Sequence, residues 1–271
     1  FLPIRAISLP KITSPGALVN ANPKPANSHC VYRCKNSCEG VMMSKDHIVR
    51  SYDQELDLLI SKISEMGKVA EEQLAKAIEA LITKDSRLAV NVIYTDAQVN
   101  DLQSTVDGLT VRMLAMRQPM GSDLRHIISA LKIAADLERI ADYAANIAKN
   151  VMDLDRVSLE KPVGLIIRMA ELASHMLKDV IDAYRETDVR KATAVWHRDE
   201  DINRVYADLL SQLRSYMKAD SDNINAYTSL IFAARCRERI GDHIKNVAES
   251  VFFITNGESS IENPIERKQH A

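Results

Sequence analysis

Glu138-Arg139-Ile140-Ala141-Asp142, with Asn146 and Ala148 behind it, returns one hundred residues later as Glu238-Arg239-Ile240-Gly241-Asp242 with Asn246 and Ala248. Upstream the two copies align at a slightly larger offset. Met66, Ala80, Asp85, Ala89, Asp96 and Asn100 answer to Met169, Ala183, Asp188, Ala192, Asp199 and Asn203. A short deletion in one inter-helix loop accounts for the change. A repeat of this length exceeds the few dozen residues of a solenoid unit, so each copy reads as a small domain in its own right. Function is therefore to be sought in what both halves keep.

The surrounding composition favours helices. Ala, Leu, Ile, Met, Glu and Lys dominate, and Gly and Pro number eight each in 271 residues. Unbranched side chains lose little rotamer freedom in a helix. A formal net charge of −2 without a Lys/Arg block argues against nucleic acid as a direct partner. No apolar run approaches the roughly 18 residues needed to span a bilayer, and the start lacks the layout of a secretory signal. A cytoplasmic protein is expected, touching membrane only indirectly through partners.

Residues 1–44 differ from the rest, with Pro3, Pro10, Pro15, Gly16, Pro23 and Pro25 interrupting any helical period. This stretch is expected to be a disordered leader or upstream sequence, since Met42 and Met43 stand just before the first periodic segment. Cys30, Cys34, Cys38 and His29 fall inside it without the second ligand pair that a structural zinc site needs, so they read as unstructured thiols. Cys236 reads as a small packed side chain.

From there the helical reading is continuous. Helices are expected over 46–84, 86–118 and 122–155, with Pro119 and Gly121 forcing the last break. A second set follows over 163–186, 188–218 and 222–253, with Thr187, Asp188, Ser221 and Asp222 as capping candidates. Short connections make neighbouring helices antiparallel. The expected fold is all-α: two tandem, pseudo-symmetric three-helix bundles over 45–156 and 157–256, with a polar tail over 257–271.

On a helical wheel Ile133, Leu137, Ile140, Ala144, Ile147 and Val151 share one side of the third helix, and Glu138, Asp142 and Asn146 lie almost opposite. The sixth helix repeats this, with Ile240, Ile244, Val247 and Val251 inward and Glu238, Asp242 and Asn246 outward. Asp96 with Asn100, and Asp199 with Asn203, sit at the margin of the apolar side of the preceding helix. Exposed acids are commonly just solvated. Two acids at i and i+4 repel, however, unless something positive lies between them, and both copies keep acid, acid and amide in register. All-oxygen side chains on adjacent turns suit hard cations such as Mg²⁺ or Mn²⁺, and also admit iron or zinc, as divalent or trivalent ions.

Arg117-Gln118-Pro119, Asp123-Leu124-Arg125, Leu137 to Asp142 and the twin Glu238 to Asp242 together resemble the PhoU family of phosphate-signalling proteins over residues 46–256. The resemblance implies tandem three-helix bundles with metal ions on the acidic surface of each, and a regulatory role rather than a catalytic one. It implies contacts with a PstB-type phosphate-transporter ATPase and a PhoR-type sensor histidine kinase, repressing starvation genes when phosphate is plentiful. Metal ligands carry over most directly to Glu138, Asp142, Glu238 and Asp242, then to Asp96, Asn100, Asp199, Asn203, Asn146 and Asn246. Ala141 departs from the family's usual Gly, which Gly241 keeps; Ala is tolerated there unless the backbone must closely approach something.

Arg117 and Arg125 bracket the first copy's loop, whereas the second copy reads Lys218-Ala219-Asp220-Ser221, so the pair is a candidate for partner binding. His126, His175, His197 and His243 lack the Glu-x-x-His spacing of di-iron bundles and read as surface residues. A homodimer is expected from the long bundle faces. No nucleophile and base pair is visible, so no enzymatic activity is expected; a metal-dependent hydrolase of phosphate esters is the alternative.

Overall fold

The computed structural model describes residues 45–153, 160–258 and 261. The proposed leader, its cysteines and most of the tail lie outside the described residues. Six long helices follow one another: α1 (Lys45–Thr83), α2 (Ser86–Arg117), α3 (Ser122–Lys149), α4 (Glu160–Glu186), α5 (Val189–Ala219) and α6 (Ile224–Asn256). Single 3-10 turns occupy Asn150–Asp153 and Ser221–Asn223. Among the described residues there is no strand, and no helix is long and apolar enough to cross a membrane.

The turns repeat as the sequence does. Lys84 and Thr187 both adopt left-handed backbone at φ 56 and 52. The next residue then sends its amide back to the helix it leaves, Asp85 to the Ala80 carbonyl and Asp188 to that of Ala183. This is a Schellman closure with a non-glycine residue at the left-handed position. Asp85 and Asp188 next cap α2 and α5, each carboxylate accepting from two backbone amides. Thr187 thus closes a helix rather than opening one. The α2–α3 turn is built differently, with Gln118 at φ 47 and Gly121 at φ 60. There α3 starts at Gly121 without a side-chain cap.

Helices α1–α3 and α4–α6 form the two bundles, and buried residues match across them. Met66, Ala70, Leu74 and Ala80 of α1 correspond to Met169, Ala173, Leu177 and Ala183 of α4. Val92, Val99 and Val106 of α2 correspond to Val195, Ile202 and Leu209 of α5. The apolar core is continuous through both bundles. The most extensive contact between them is α3 against α6, supported by α1 against α4. Arg125 Nε donates to the Ile254 carbonyl (2.9 Å), Ser129 Oγ to the Ser250 carbonyl (3.3 Å), and Asp136 Oδ1 lies 2.8 Å from His243 Nδ1. Rising positions on α3 meet falling ones on α6, so these helices run antiparallel.

One core position breaks the correspondence. Leu137 is fully buried in α3, and its partner by register is Arg237, also fully buried. Arg237 Nη1 donates to the Ile166 carbonyl at the start of α4, while Nε and Nη2 have no hydrogen-bond partner. Burial lowers its pKa to about 9.

Candidate functional site

In the first copy Glu138 and Asp142 stand one turn apart on α3, beside Asp96 on α2. In the second, Glu238 and Asp242 stand on α6 beside Asp199 on α5. Arg139 Nη1 lies 2.9 Å from Asp142 Oδ2 and its Nε 3.4 Å from Glu138 Oε2. Arg239 repeats the arrangement more loosely, at 3.3 Å from Asp242 and 3.7 Å from Glu238. Each guanidinium offsets repulsion between its two carboxylates.

The stripes are not fully solvent-facing. All four carboxylates of the repeated motif are part-buried, and Asp199 is only 5% exposed. Burial and then the Asp142 charge raise the Glu138 carboxyl above its ordinary range, with Asp96 adding and Arg139 opposing. Glu238 rises through burial and Asp242, with Asp199 adding and Arg239 opposing. Asp199 rises through burial and Asp242, with Lys245 opposing. In each copy the glutamate thus feels both neighbouring aspartates.

Do these groups suit an ion? Among the described residues no three His, Cys, Asp or Glu side chains converge into a ready cage. The arginines span the gap between the carboxylates instead. The donor chemistry still fits a hard cation, because it is all oxygen and because Asp96 Oδ1 and Asp199 Oδ1 are buried without a hydrogen-bond partner. An orphaned buried carboxylate oxygen is costly, and it recurs at the same repeat position in both copies.

A family model described as the PhoU domain matches this chain twice, over residues 63–151 and 166–251. The chain belongs to the PhoU family. A phosphate-specific transport system accessory protein PhoU homolog from Caulobacter vibrioides is 41% identical over 214 residues, covering 79% of this chain and 93% of that protein. A homolog of the same description from Rhizobium meliloti is 39% identical over 216 residues, covering 79% and 91%. Among solved structures, PhoU from Pseudomonas aeruginosa superposes with a TM-score of 0.74 at 35% identity, covering 76% of this chain and all of that one. The phosphate transport system regulatory protein PhoU from Streptococcus pneumoniae gives 0.73 at 30% identity, covering 78% and 100%. These PhoU relatives are named as accessory or regulatory proteins and not as enzymes, which leaves the hydrolase reading without support.

Most of the other residues singled out on the PhoU pattern are placed apart from the acids. Asn146 Oδ1 accepts from Lys149 Nζ (3.0 Å), and Asn246 Nδ2 donates to Asp136 Oδ1 (3.1 Å) across the α3–α6 seam. Neither amide turns toward its carboxylate pair. Asn203 Nδ2 donates to Asp199 Oδ2 (3.1 Å) one turn away on α5, while Asn100 is exposed on α2. Arg117 donates to both Glu55 oxygens (3.0 and 3.2 Å) and to Ser51 Oγ (2.6 Å), tying the end of α2 to α1. Arg125 is the strap to α6 already described.

Sequence reasoning missed three features. His243 is a half-buried cross-bundle contact rather than a surface histidine, and its ring lies 5.7 Å from that of Tyr143. Arg237 occupies the core angle of Leu137, a signal present in the hundred-residue offset. Gly241 is closely approached, because a β-carbon there would stand 2.7 Å from Asp199 Oδ1.

Proposed function

We propose that this chain is a cytoplasmic, non-catalytic regulator of phosphate uptake and of the phosphate-starvation response. Its acidic helix faces bind metal ions, and the bundles contact a PstB-type transporter ATPase and a PhoR-type sensor histidine kinase, holding the response off when phosphate is plentiful. The supporting observation is the orphaned Asp oxygen beside a Glu/Asp pair in each copy, on a chain of the PhoU family. Such a surface binds and signals by differential affinity for partner conformations; it has no need to turn anything over.

In this reading the partner contact expected at Arg117 and Arg125 is carried by the turn they hold. With both guanidinium groups bonded within the chain, they fix a loop that presents Met116, Met120 and Leu124, of which Met120 is 83% exposed. Exposed, adaptable methionines suit protein recognition. Self-association as a homodimer belongs to the same proposal, and Tyr94 and Val111 add exposed apolar area on α2.

A reporter strain tests this. Deleting the gene should switch on a phosphate-repressed alkaline phosphatase in high phosphate, and the wild-type gene should switch it off again. The quadruple variant Glu138→Ala/Asp142→Ala/Glu238→Ala/Asp242→Ala should fail to do so. Full repression in the deletion strain would remove the regulatory role; full rescue by the quadruple variant would separate it from the acidic faces. Pull-down of the kinase and ATPase by the purified chain tests the contacts directly.

A further inference from the structure

The α2–α3 turn and the start of α1 enclose a cleft of about 480 Å³, with Tyr52, Leu56, Pro119 and Met120 in its lining beside Asp53 and Asp123. Its apolar surface runs out onto the turn, where Met116, Met120 and Leu124 are exposed. The charge there is one-sided. Arg117 also lines the cleft, but its guanidinium is taken up by Glu55 and Ser51. Arg125 is turned away to the Ile254 carbonyl. His126, whose pKa burial lowers, stays neutral at neutral pH beside Asp123. Among the described residues neither Asp53 nor Asp123 has an ion-pair partner, and Asp123 accepts only a 3.5 Å hydrogen bond from Ser122 Oγ. Burial, then Asp123 and then Asp53 raise the Tyr52 pKa to about 12. Carboxylates from two different helices thus converge on one neutral phenol, whose buried oxygen has no hydrogen-bond partner. The second bundle spends the acid of its matching turn internally, Asp220 Oδ2 accepting from Asn223 Nδ2 (2.7 Å) and Tyr227 Oη (3.3 Å).

Resting on the partner-binding role given to this turn above, we propose that the cleft receives a basic side chain of a partner protein, a Lys or Arg carried between apolar residues of an exposed segment. The occupant follows from complementarity. Unpaired carboxylates repel nucleic acid, anionic lipid and free phosphate, and they attract a cation. A bare ion would leave the surrounding apolar surface unused. A long basic side chain instead lays its methylenes along Leu56 and Met120 and carries its charge to the acids. The exposed methionines adapt to the apolar residues on either side of it. The Tyr52 oxygen, shielded from water and without a donor, gains one when the basic group enters.

An array of overlapping peptides from the transporter ATPase and the sensor kinase of the same organism, probed with the full chain, tests the proposal. Bound peptides are expected to carry Lys or Arg flanked by Leu, Ile, Met or Phe. Asp53→Asn/Asp123→Asn should weaken them about tenfold at low salt, and added salt should shrink that difference. Met120→Ser should weaken them less and independently of salt. Asp53→Lys/Asp123→Lys should reject the native peptide and bind its version with the basic residue changed to Glu. Melting temperatures, measured alongside, keep a folding defect from passing as lost affinity. Bound peptides that lack a basic residue, or undiminished pull-down of the intact partners by Asp53→Asn/Asp123→Asn, overturn the role of the cleft while leaving the partner contacts in place. Pull-down of neither partner by the wild type overturns both readings. A dimer of this chain that dissociates in Asp53→Asn/Asp123→Asn gives the cleft to a second copy and overturns the proposal as well.

Discussion

The first bundle places a leucine at position 137 where the second places an arginine at 237, and both are sealed inside. At position 141 the first carries a β-carbon, while the second yields that volume to a carboxylate. Between the halves the helical frame agrees, as do the closure and cap of the first turn in each, and the acids stay in register. What differs is the depth to which charge is admitted. A duplicated fold thus keeps its scaffold by matching apolar volume, while its chemistry diverges at the few buried sites where one side chain sets the space left for another.

The most severe way to break this comparison is to force the second half's residue on the first. Leu137→Arg should destabilise the chain by roughly 4 kcal/mol or more, through overpacking and an unpaired buried charge, as read by urea denaturation. The reverse exchange sharpens it: Arg237→Leu should stabilise by about 1–3 kcal/mol, since an apolar side chain leaves no orphaned guanidinium donors. A fall in stability instead would give Arg237 a compensating role that its single hydrogen bond does not reveal.

A smaller effect separates the halves by acidity. Arg117 holds Glu55 below its ordinary pKa, chiefly by side-chain hydrogen bonding, and the second copy has no equivalent Arg pair at its loop. A depressed carboxylate contributes stability that is present above its unfolded value near 4.5 and fades as pH falls through the lower folded value. Glu55→Gln should therefore melt lower than wild type at neutral pH, and the gap should narrow as the solution is acidified below that range. A gap independent of pH would assign the loss to packing. Least of all, Asp85→Ala should cost about 1 kcal/mol through the lost α2 cap. Asp188→Ala should act in the same direction, and a change in sign between the two would mean that the halves do not share their turn chemistry.

Much of this was legible in the chain. The hundred-residue echo and the helical period located six helices, and the wheel separated Ile140 and Ile240 from Glu138 and Glu238. Helix ends were less legible. The third helix was expected to reach 155 but yields to a 3-10 turn after Lys149, and the sixth continues past Phe253 to Asn256. The sixth ends on Gly257, whose left-handed backbone (φ 75) and amide bond to the Phe253 carbonyl close it, a signal the sequence carried. The third ends at Lys149 without a Gly or Pro, and there tertiary packing decides. Site depth was harder still. A wheel gives angles about one axis, whereas the burial of Asp199 depends on how closely α5 and α6 approach at Gly241. Asn146 and Asn246 share an angle with the acids, yet they are drawn off by Lys149 and Asp136. Competition from neighbours beyond the helix's own repeat cannot be read from periodicity.

Arg125 spends its guanidinium on the last turn of a helix from the opposite half, where the terminal carbonyls have no partner within the helix. The end of one repeat is thus held by the third helix of the other, in addition to the left-handed Gly257 that closes it. Cutting the chain in the connector between them should yield two fragments that are poorly ordered apart and regain helicity when mixed, the signature of a single folding unit assembled from two gene copies.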